Sequence, residues 1–286
     1  MSDTISRPRI PVSVLVQTKN EEAGIGQCLQ ALASFGEVVV VDSNSTDRTA
    51  AIAQEHGARV VNFTWNRRYP KKKQWQLENV NVANNWVLML DADERPSPEL
   101  IDEIRTRLSE WDATAVAVDI PLTYVFSGRH LVHGHRVVKR ALLRPEHVRF
   151  PEVDDLEAPG IGEVEGHYQP TVTGTIAQAT RSIIHDDVDP VRTWFDRHNR
   201  YSDWEAYLRT NPASHSSVSR LRSRQGQIFD RIPFKPIAFF VYSYFIKQGW
   251  RDGQAGFDYA FALSFYYWQI RLKTREILRQ RRAANQ

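Results

Sequence analysis

Over the first third of the chain, short apolar runs alternate with helical periodicity. Val12–Val16 is a β-branched run that predicts a strand, and Ile25, Leu29 and Leu32 follow at the spacing of a helix with one buried face. Val38–Val41 predicts a second strand. The polar cluster Asp42-Ser43-Asn44-Ser45-Thr46-Asp47 then opens a helix to about Gln54, which Gly57 ends. Arg59–Phe63 predicts a third strand and Lys72–Asn81 another helix. Trp86–Leu90 reads as a buried strand, after which Pro96 and Pro98 open a helix burying Leu100, Ile101, Ile104 and Leu108. Repeated β-α units of this length imply an α/β architecture around a mostly parallel sheet with right-handed crossovers.

Beyond Ala115 the long helices stop. Ala115–Ile120 and Val137–Leu143 predict strands, and the Gly-, Pro- and acid-rich stretch Pro151–Pro170 predicts an extended active-site or substrate loop. Asp189-Pro190 punctuates the chain. Trp194, Phe195, His198, Tyr201 and Leu208 then recur at helical spacing, a break follows around Asn211–Ser219, and Pro236–Gly249 and Phe257–Arg282 read as aromatic-rich helices. The expected division is a sheet-building domain over 1–190, with halves of about 1–112 and 113–190, and a helical, basic region over 191–286.

The 286 residues, 42% apolar and 25% charged, suffice for a substantial core. A single cysteine, Cys28, excludes an internal disulfide and a cysteine-based zinc cluster, and fits a reducing compartment. Met1–Pro11 lacks the apolar core of a signal peptide. No segment approaches the ~20 apolar residues of a spanning helix; the longest, Ile237–Ile246, contains Ser243 and stops at Lys247. Net charge is +3, unevenly spread: Val191–Gln286 carries 17 Lys and Arg against 7 Asp and Glu, leaving the rest net negative. Such asymmetry points to a polyanionic partner, or else to solvated helix faces.

The candidate chemistry starts at Asp91-Ala92-Asp93, directly after the fourth strand. If the strand geometry persists, both carboxylates project to one side. They then converge at a strand's carboxyl end, where open α/β sheets place ligands. Paired hard oxygens suit Mg²⁺ or Mn²⁺ when phosphate oxygens fill the remaining positions.

Three blocks, Val12–Glu21, Val38–Asp47 and Leu90–Glu94, occur in an order and spacing that resemble family 2 glycosyltransferases of the GT-A fold. The carboxyl-terminal aromatics place the resemblance nearest the bacterial lipopolysaccharide-core β-glycosyltransferase branch. It implies a nucleoside diphosphate sugar, by preference UDP-linked, contacted by Thr18, Asn20, Glu21, Asp42, Asn44, Lys73 and Asp91. Asp42 would accept from a uracil-like ring NH, with helix capping as its competitor; Lys71 and Lys72 compete with Lys73 for the diphosphate. Asp93 would bind the metal directly, Asp91 would bind ribose or metal through water, and Glu94 would lend electrostatic support. His185 is a further candidate for metal or diphosphate, although a packed or surface histidine is the competing reading.

Inverting transfer also needs a carboxylate base for the acceptor hydroxyl. Asp154, Asp155, Glu157, Glu163 and Glu165 are available, and Glu165 is preferred, with Glu163 and Asp155 next. The chain departs from its relatives here, reading Val164-Glu165-Gly166-His167 where they often read Val-His-Glu. His133, His135, His167 and His185 lack a zinc-ligand spacing.

Aromatic and basic residues crowd the carboxyl-terminal third, a pairing used by interfacial helices, while no nucleic-acid signature is present. The expected partner is a glycan or lipid-linked saccharide at an anionic membrane, reached peripherally from the cytoplasmic side. The rival readings are a sugar nucleotidyltransferase, for which Gln17-Thr18-Lys19-Asn20 offers no glycine loop, and an inactive membrane-docked scaffold. A phosphatase is disfavoured by Arg95, and Gly24 and Gly26 lack the third glycine of a dinucleotide fingerprint.

Overall fold

Unbroken Val, Ile and Leu runs need cover on both faces of a sheet, and the chain supplies it from two sides. In the computed structural model, which describes residues 8–166, 168–211, 214, 229 and 232–286, four strands run parallel. These are β1 (Ile10–Thr18), β2 (Phe35–Asp42), β3 (Arg59–Asn62) and β4 (Trp86–Asp91), in the spatial order β3-β2-β1-β4. Between them lie α1 (Ile25–Ala31), α2 (Thr49–Glu55) and α3 (Lys72–Asn79). Successive strand residues feed opposite cores. Val14, Val16, Val40, Leu88 and Leu90 pack with Ile25 and Leu29 of α1, whereas Leu15, Val39, Val41, Val87 and Met89 pack with Phe63, Trp75 and Leu77. Each such buried side chain contributes about 1.5–3 kcal/mol.

A short strand β5 (Glu94–Pro96) precedes α4 (Pro98–Thr114). The Ser97 hydroxyl accepts the Leu100 N–H at 3.1 Å and Pro98 fills the first turn, so α4 starts where its cap and proline dictate. It buries Leu100, Ile104, Leu108 and Trp111. The sheet then continues through β6 (Ala117–Phe126), β7 (Arg129–His130), β8 (Val138–Leu143), β11 (Ile176–Gln178) and β12 (Ile183–Asp186). A separate pair is formed by β9 (Val148–Arg149) and β10 (Thr171–Val172). Strand β8 is antiparallel to both β4 and β6, so the sheet is mixed, with helices on both faces of its parallel part.

The stretch 151–170 has no regular structure, as expected of a loop, yet it has a core of its own. Val153, Ala158, Ile161 and Tyr168 are buried against Trp204 and Leu208 of α5 (Val191–Thr210). The approach is close: a Cβ on Gly160 would meet the Arg200 carbonyl oxygen at 2.1 Å, and one on Gly166 would meet the Trp204 ring at 2.3 Å. The break expected over Asn211–Ser219 lies, apart from Asn211 and Ser214, outside the described residues.

The segment expected as one helix over Pro236–Gly249 is instead α6 (Lys235–Phe240) running into a π-helical turn, Val241–Ile246. A 3₁₀ turn at Gly249–Asp252 leads into α7 (Gly253–Ala284). This region is fastened to the β7–β8 connection. Asp252 accepts the His133 backbone N–H at 2.7 Å, Ser243 Oγ accepts that of His135 at 3.1 Å, and the Lys247 carbonyl accepts that of Gly134 at 2.8 Å. Tyr259 of α7 packs with Phe126, Leu131 and Trp194. Among the described residues, no helix is long and apolar enough to cross a membrane.

Candidate active site

Strand register decides which residues share the sheet's edge. Thr18 pairs with Asp42 and Gln17 with Asp91, so the carboxyl ends of β2, β1 and β4 lie abreast. Asp42 is buried, and Oδ2 accepts the Ser45 N–H at 2.7 Å; it shapes the turn after β2, whereas α2 is opened by Asp47, which accepts the Thr49 N–H at 3.0 Å. Asn20 and Asn44 both have φ near 55°, the left-handed region in which asparagine is favoured. Asn20 Oδ1 accepts the Thr46 N–H at 2.8 Å, and the Asn44 amide donates to the Phe63 carbonyl at 3.1 Å and Thr64 Oγ1 at 2.9 Å. Glu21 N–H donates to Thr49 Oγ1 at 2.8 Å. The loops after β1 and β2 thus form one braced wall.

The three lysines that open α3 point to different partners. Lys71 is buried and ion-paired with Asp155 at 2.9 Å. Lys72 reaches the strand ends, donating to the Thr18 carbonyl at 2.8 Å and to the Ser43 hydroxyl. Burial lowers the pKa of Lys72 to about 8 against the pull of Glu163, Asp42 and Asp91. Lys73 is half-buried, and its charge favours the ionised forms of Asp91 and Glu165. Of the sequence alternatives, Lys72 and Lys73 therefore face the site and Lys71 does not.

The acidic motif does not continue as a strand. Strand β4 ends at Asp91, Ala92-Asp93 turns, and Glu94 enters β5, so the alternation expected to align the two carboxylates is broken. Gln17 and Lys139 hold Asp91, and Lys139 bridges it to Glu94, whose Oε2 also accepts the Asp91 N–H at 2.9 Å. Burial works against ionising Asp91, but Lys139, Lys73 and the Gln17 amide hold its carboxyl well below the usual range. Burial and Asp91 push Glu94 up. Asp93 points instead toward His185 of β12, at 3.6 Å. Asp93 Oδ1 and His185 Nδ1 are both buried without a hydrogen-bond partner among the described residues, as is Thr18 Oγ1. Glu21 stands close enough to Asp93 and Asp189 that burial, then those charges, raise its pKa to about 7.

Among the described residues no three acidic, histidine or cysteine side chains converge as a ready-made metal cage. The donors still fit Mg²⁺ or Mn²⁺. Lys139 bridges Asp91 and Glu94, whereas Asp93 Oδ1, a hard oxygen, has no hydrogen-bond partner among the described residues, and such ions complete their shells with phosphate oxygens and water.

The candidate bases separate by environment. Asp155 has a fully buried side chain engaged by Lys71, by the Tyr69 hydroxyl and by Trp204 Nε1 at 3.0 Å, so it locks the loop to α3 and α5. Glu165 accepts the N–H groups of Lys73 and Gln74, each at 2.9 Å, and so caps α3; burial raises its pKa against those bonds. The carboxylate of Glu163 is half-buried near Lys72 and has no hydrogen-bond partner among the described residues, while Asp154 and Glu157 are exposed. His133 pairs with Asp252 and His135 meets the Phe239 ring edge-on; His167 lies outside the described residues.

Residues 13–167, more than half the chain, match the sequence profile of glycosyl transferase family 2. The chain belongs to that family. As a glycosyltransferase it is an enzyme, and the nucleotidyltransferase alternative falls away; with the mixed sheet described above, the α/β GT-A expectation holds. The lipopolysaccharide core biosynthesis glycosyltransferase LpsC of Rhizobium meliloti is 28% identical over 274 residues, 91% of this chain and 90% of that one. An uncharacterised glycosyltransferase of Rickettsia felis is 44% identical over 94 residues, 32% of each chain. The glucosyl-3-phosphoglycerate synthase of Mycobacterium tuberculosis, solved with Mn²⁺, UDP and glucosyl-3-phosphoglycerate, aligns at 18% identity over 71% of this chain and 79% of its own, with a TM-score of 0.40.

Lys139, Gln17 and Arg197 escaped the sequence reading. Lys139 lies with Arg140 in the run Val137–Leu143, and two cations inside an otherwise apolar strand were the signal that it lines something charged. Arg197 of α5 bonds Asp187 and lies 3.7 Å from Asp189, closing the site from the helical side.

Proposed function

We propose that this enzyme moves a sugar, with inversion, from a nucleoside diphosphate sugar to a lipid-linked saccharide of the cell envelope at the cytoplasmic face of a membrane. The observation that carries the donor half is the set of orphaned polar atoms, Thr18 Oγ1, Asp93 Oδ1 and His185 Nδ1, at one rim of the sheet. Buried groups of this kind are costly unless a ligand completes them. UDP is preferred on family grounds, and similarity to LpsC over nearly the whole chain supports an envelope acceptor.

In this reading Thr18, Asn20, Glu21 and Asn44 wall the nucleoside. The Asp42 carboxylate, with lone pairs to spare beyond its bonds to Ser45, accepts from the base. Lys72 and Lys73 meet the diphosphate, and Asp91, neutralised by Lys139, faces the ribose. Asp93 and His185 would hold Mg²⁺ or Mn²⁺, which neutralises charge on the departing diphosphate. Glu163 takes the acceptor's proton, because its carboxylate has no hydrogen-bond partner among the described residues. Glu165 positions α3, and with it both lysines.

Titration calorimetry with UDP tests the donor half. Binding that Mn²⁺ tightens at least about tenfold in the native chain, but not in Asp93→Ala, is the expected result. A chain that binds neither UDP nor Mn²⁺ would be a scaffold. A panel of nucleotide sugars, scored by hydrolysis, names the donor.

A further inference from the structure

Helix α7 has two faces that ask for different surroundings. Tyr259, Ala262, Tyr266 and Ile270 are buried on the protein side. On the opposite side Phe257, Phe261, Phe265, Trp268 and Leu272 are 38, 57, 39, 44 and 42% exposed. Their steps of four, four, three and four residues make one stripe about 22 Å long. Phe240 extends it: its ring centroid lies 5.7 Å from Phe257 and 6.1 Å from Phe245, itself 57% exposed. A continuous exposed apolar face of this size on a globular protein marks an interaction surface.

We propose that this face docks the enzyme on an anionic lipid surface, with the aromatic rings at the headgroup level. The proposal deepens the reading of a membrane-borne acceptor and rests on it. Charge selects the occupant. Arg275 and Arg279 continue the same stripe one turn apart and are exposed, while exposed Lys247 and Arg251 stand before its other end. Two carboxylates border it, Asp258, which accepts from Gln254, and Glu276. The ends are therefore basic. A second copy packed on this stripe, parallel or antiparallel, would set arginine against basic residues, whereas anionic headgroups meet them favourably. Phenylalanine and tryptophan flanked by arginine is the pattern of a helix lying in the interface plane.

Co-sedimentation of the full chain with vesicles decides. Phosphatidylcholine vesicles containing phosphatidylglycerol should bind it at low salt, more weakly at high salt, and better than phosphatidylcholine alone. Phe261→Ser/Trp268→Ser should lower binding at least about tenfold. Arg275→Glu/Arg279→Glu should weaken it and flatten the salt dependence. Both pairs are exposed, and unchanged melting curves and unchanged UDP binding establish that each variant is folded. Wild-type protein that fails to sediment at low salt overturns the proposal, as does sedimentation that neither variant alters. A concentration-dependent dimer that the aromatic variant dissolves, without vesicle binding, would make the face a self-interface. Vesicle binding with no UDP binding would instead sink the proposed UDP-sugar donor and leave the docking intact.

Discussion

Lys72 sets the electrostatics of the nucleotide wall. Its ammonium is buried beside two strand ends, and burial brings its pKa from 10.5 to about 8. Between those values the unfolded chain keeps a proton that the native one has released. Below pH 8 burial of the charge therefore opposes folding, and that opposition fades as pH rises toward 10.5. A bound diphosphate reverses the preference by favouring the charged form. UDP affinity should accordingly fall by up to about tenfold per unit above the Lys72 pKa, and Lys72→Met should flatten that profile. Calorimetry across the range measures both, and a slope that survives in the methionine variant would place the titrating group elsewhere. Glu163 and Glu165 separate by a different readout. Glu163→Gln should lose transfer by about a hundredfold or more with UDP binding unchanged. Glu165→Ala leaves two helix N–H groups unmet, at about 1–3 kcal/mol of stability, so its melting curve should move. If Glu163→Gln turns over normally and Glu165→Gln does not, the base is Glu165.

At the scale of elements, what the sequence showed and what it hid have one physical cause. Strands β1, β2 and β4 were legible as short apolar runs, and helices α1 and α4 because each buries a periodic face, as Leu100, Ile104 and Leu108 do. Strands of two or three residues, such as β5 and β7, carry no period at all and exist through their partners. The acidic motif was legible as chemistry but not as geometry. The turn at Ala92-Asp93 follows from β5 pairing with β12, a contact about ninety residues away. The stretch 151–170 was legible as an extended loop from its Gly, Pro and acidic residues, but its fastening to α5, where Trp204 donates to Asp155 of the loop, was not. The glycines are what lets α5 approach. Gly160, at φ 105°, and Gly166 both lack room for a methyl group. Gly166→Ala should lower the melting temperature by several degrees, and Trp204→Leu combined with it should recover part of that loss by opening space. Additive losses in the double variant would contradict the contact.

The whole molecule couples a negatively charged sheet half to a positively charged helical half, and α7 is where the two meet. Its inward face is two rings from the acidic turn: Tyr259 lies 5.6 Å from Tyr124, and Tyr124 lies 4.9 Å from His185, which neighbours Asp93. Its outward face is the aromatic stripe. A helix held this way fixes the catalytic rim relative to whatever the stripe rests on. Docking should then act on acceptor encounter rather than on the donor site, by raising the effective concentration of a membrane-borne saccharide. Phe261→Ser/Trp268→Ser should therefore lower transfer to an acceptor embedded in anionic vesicles by about tenfold or more, while donor hydrolysis in solution stays at the native rate. Assays run side by side on one preparation distinguish the cases. Equal losses in both would mean that the stripe supports the fold of α7 and the Tyr259–Tyr124–His185 ring contacts. A loss confined to the vesicle assay, and reproduced in the native enzyme by high salt that leaves donor hydrolysis unchanged, assigns the effect to the lipid surface, because salt screens the exposed basic residues at the ends of the stripe.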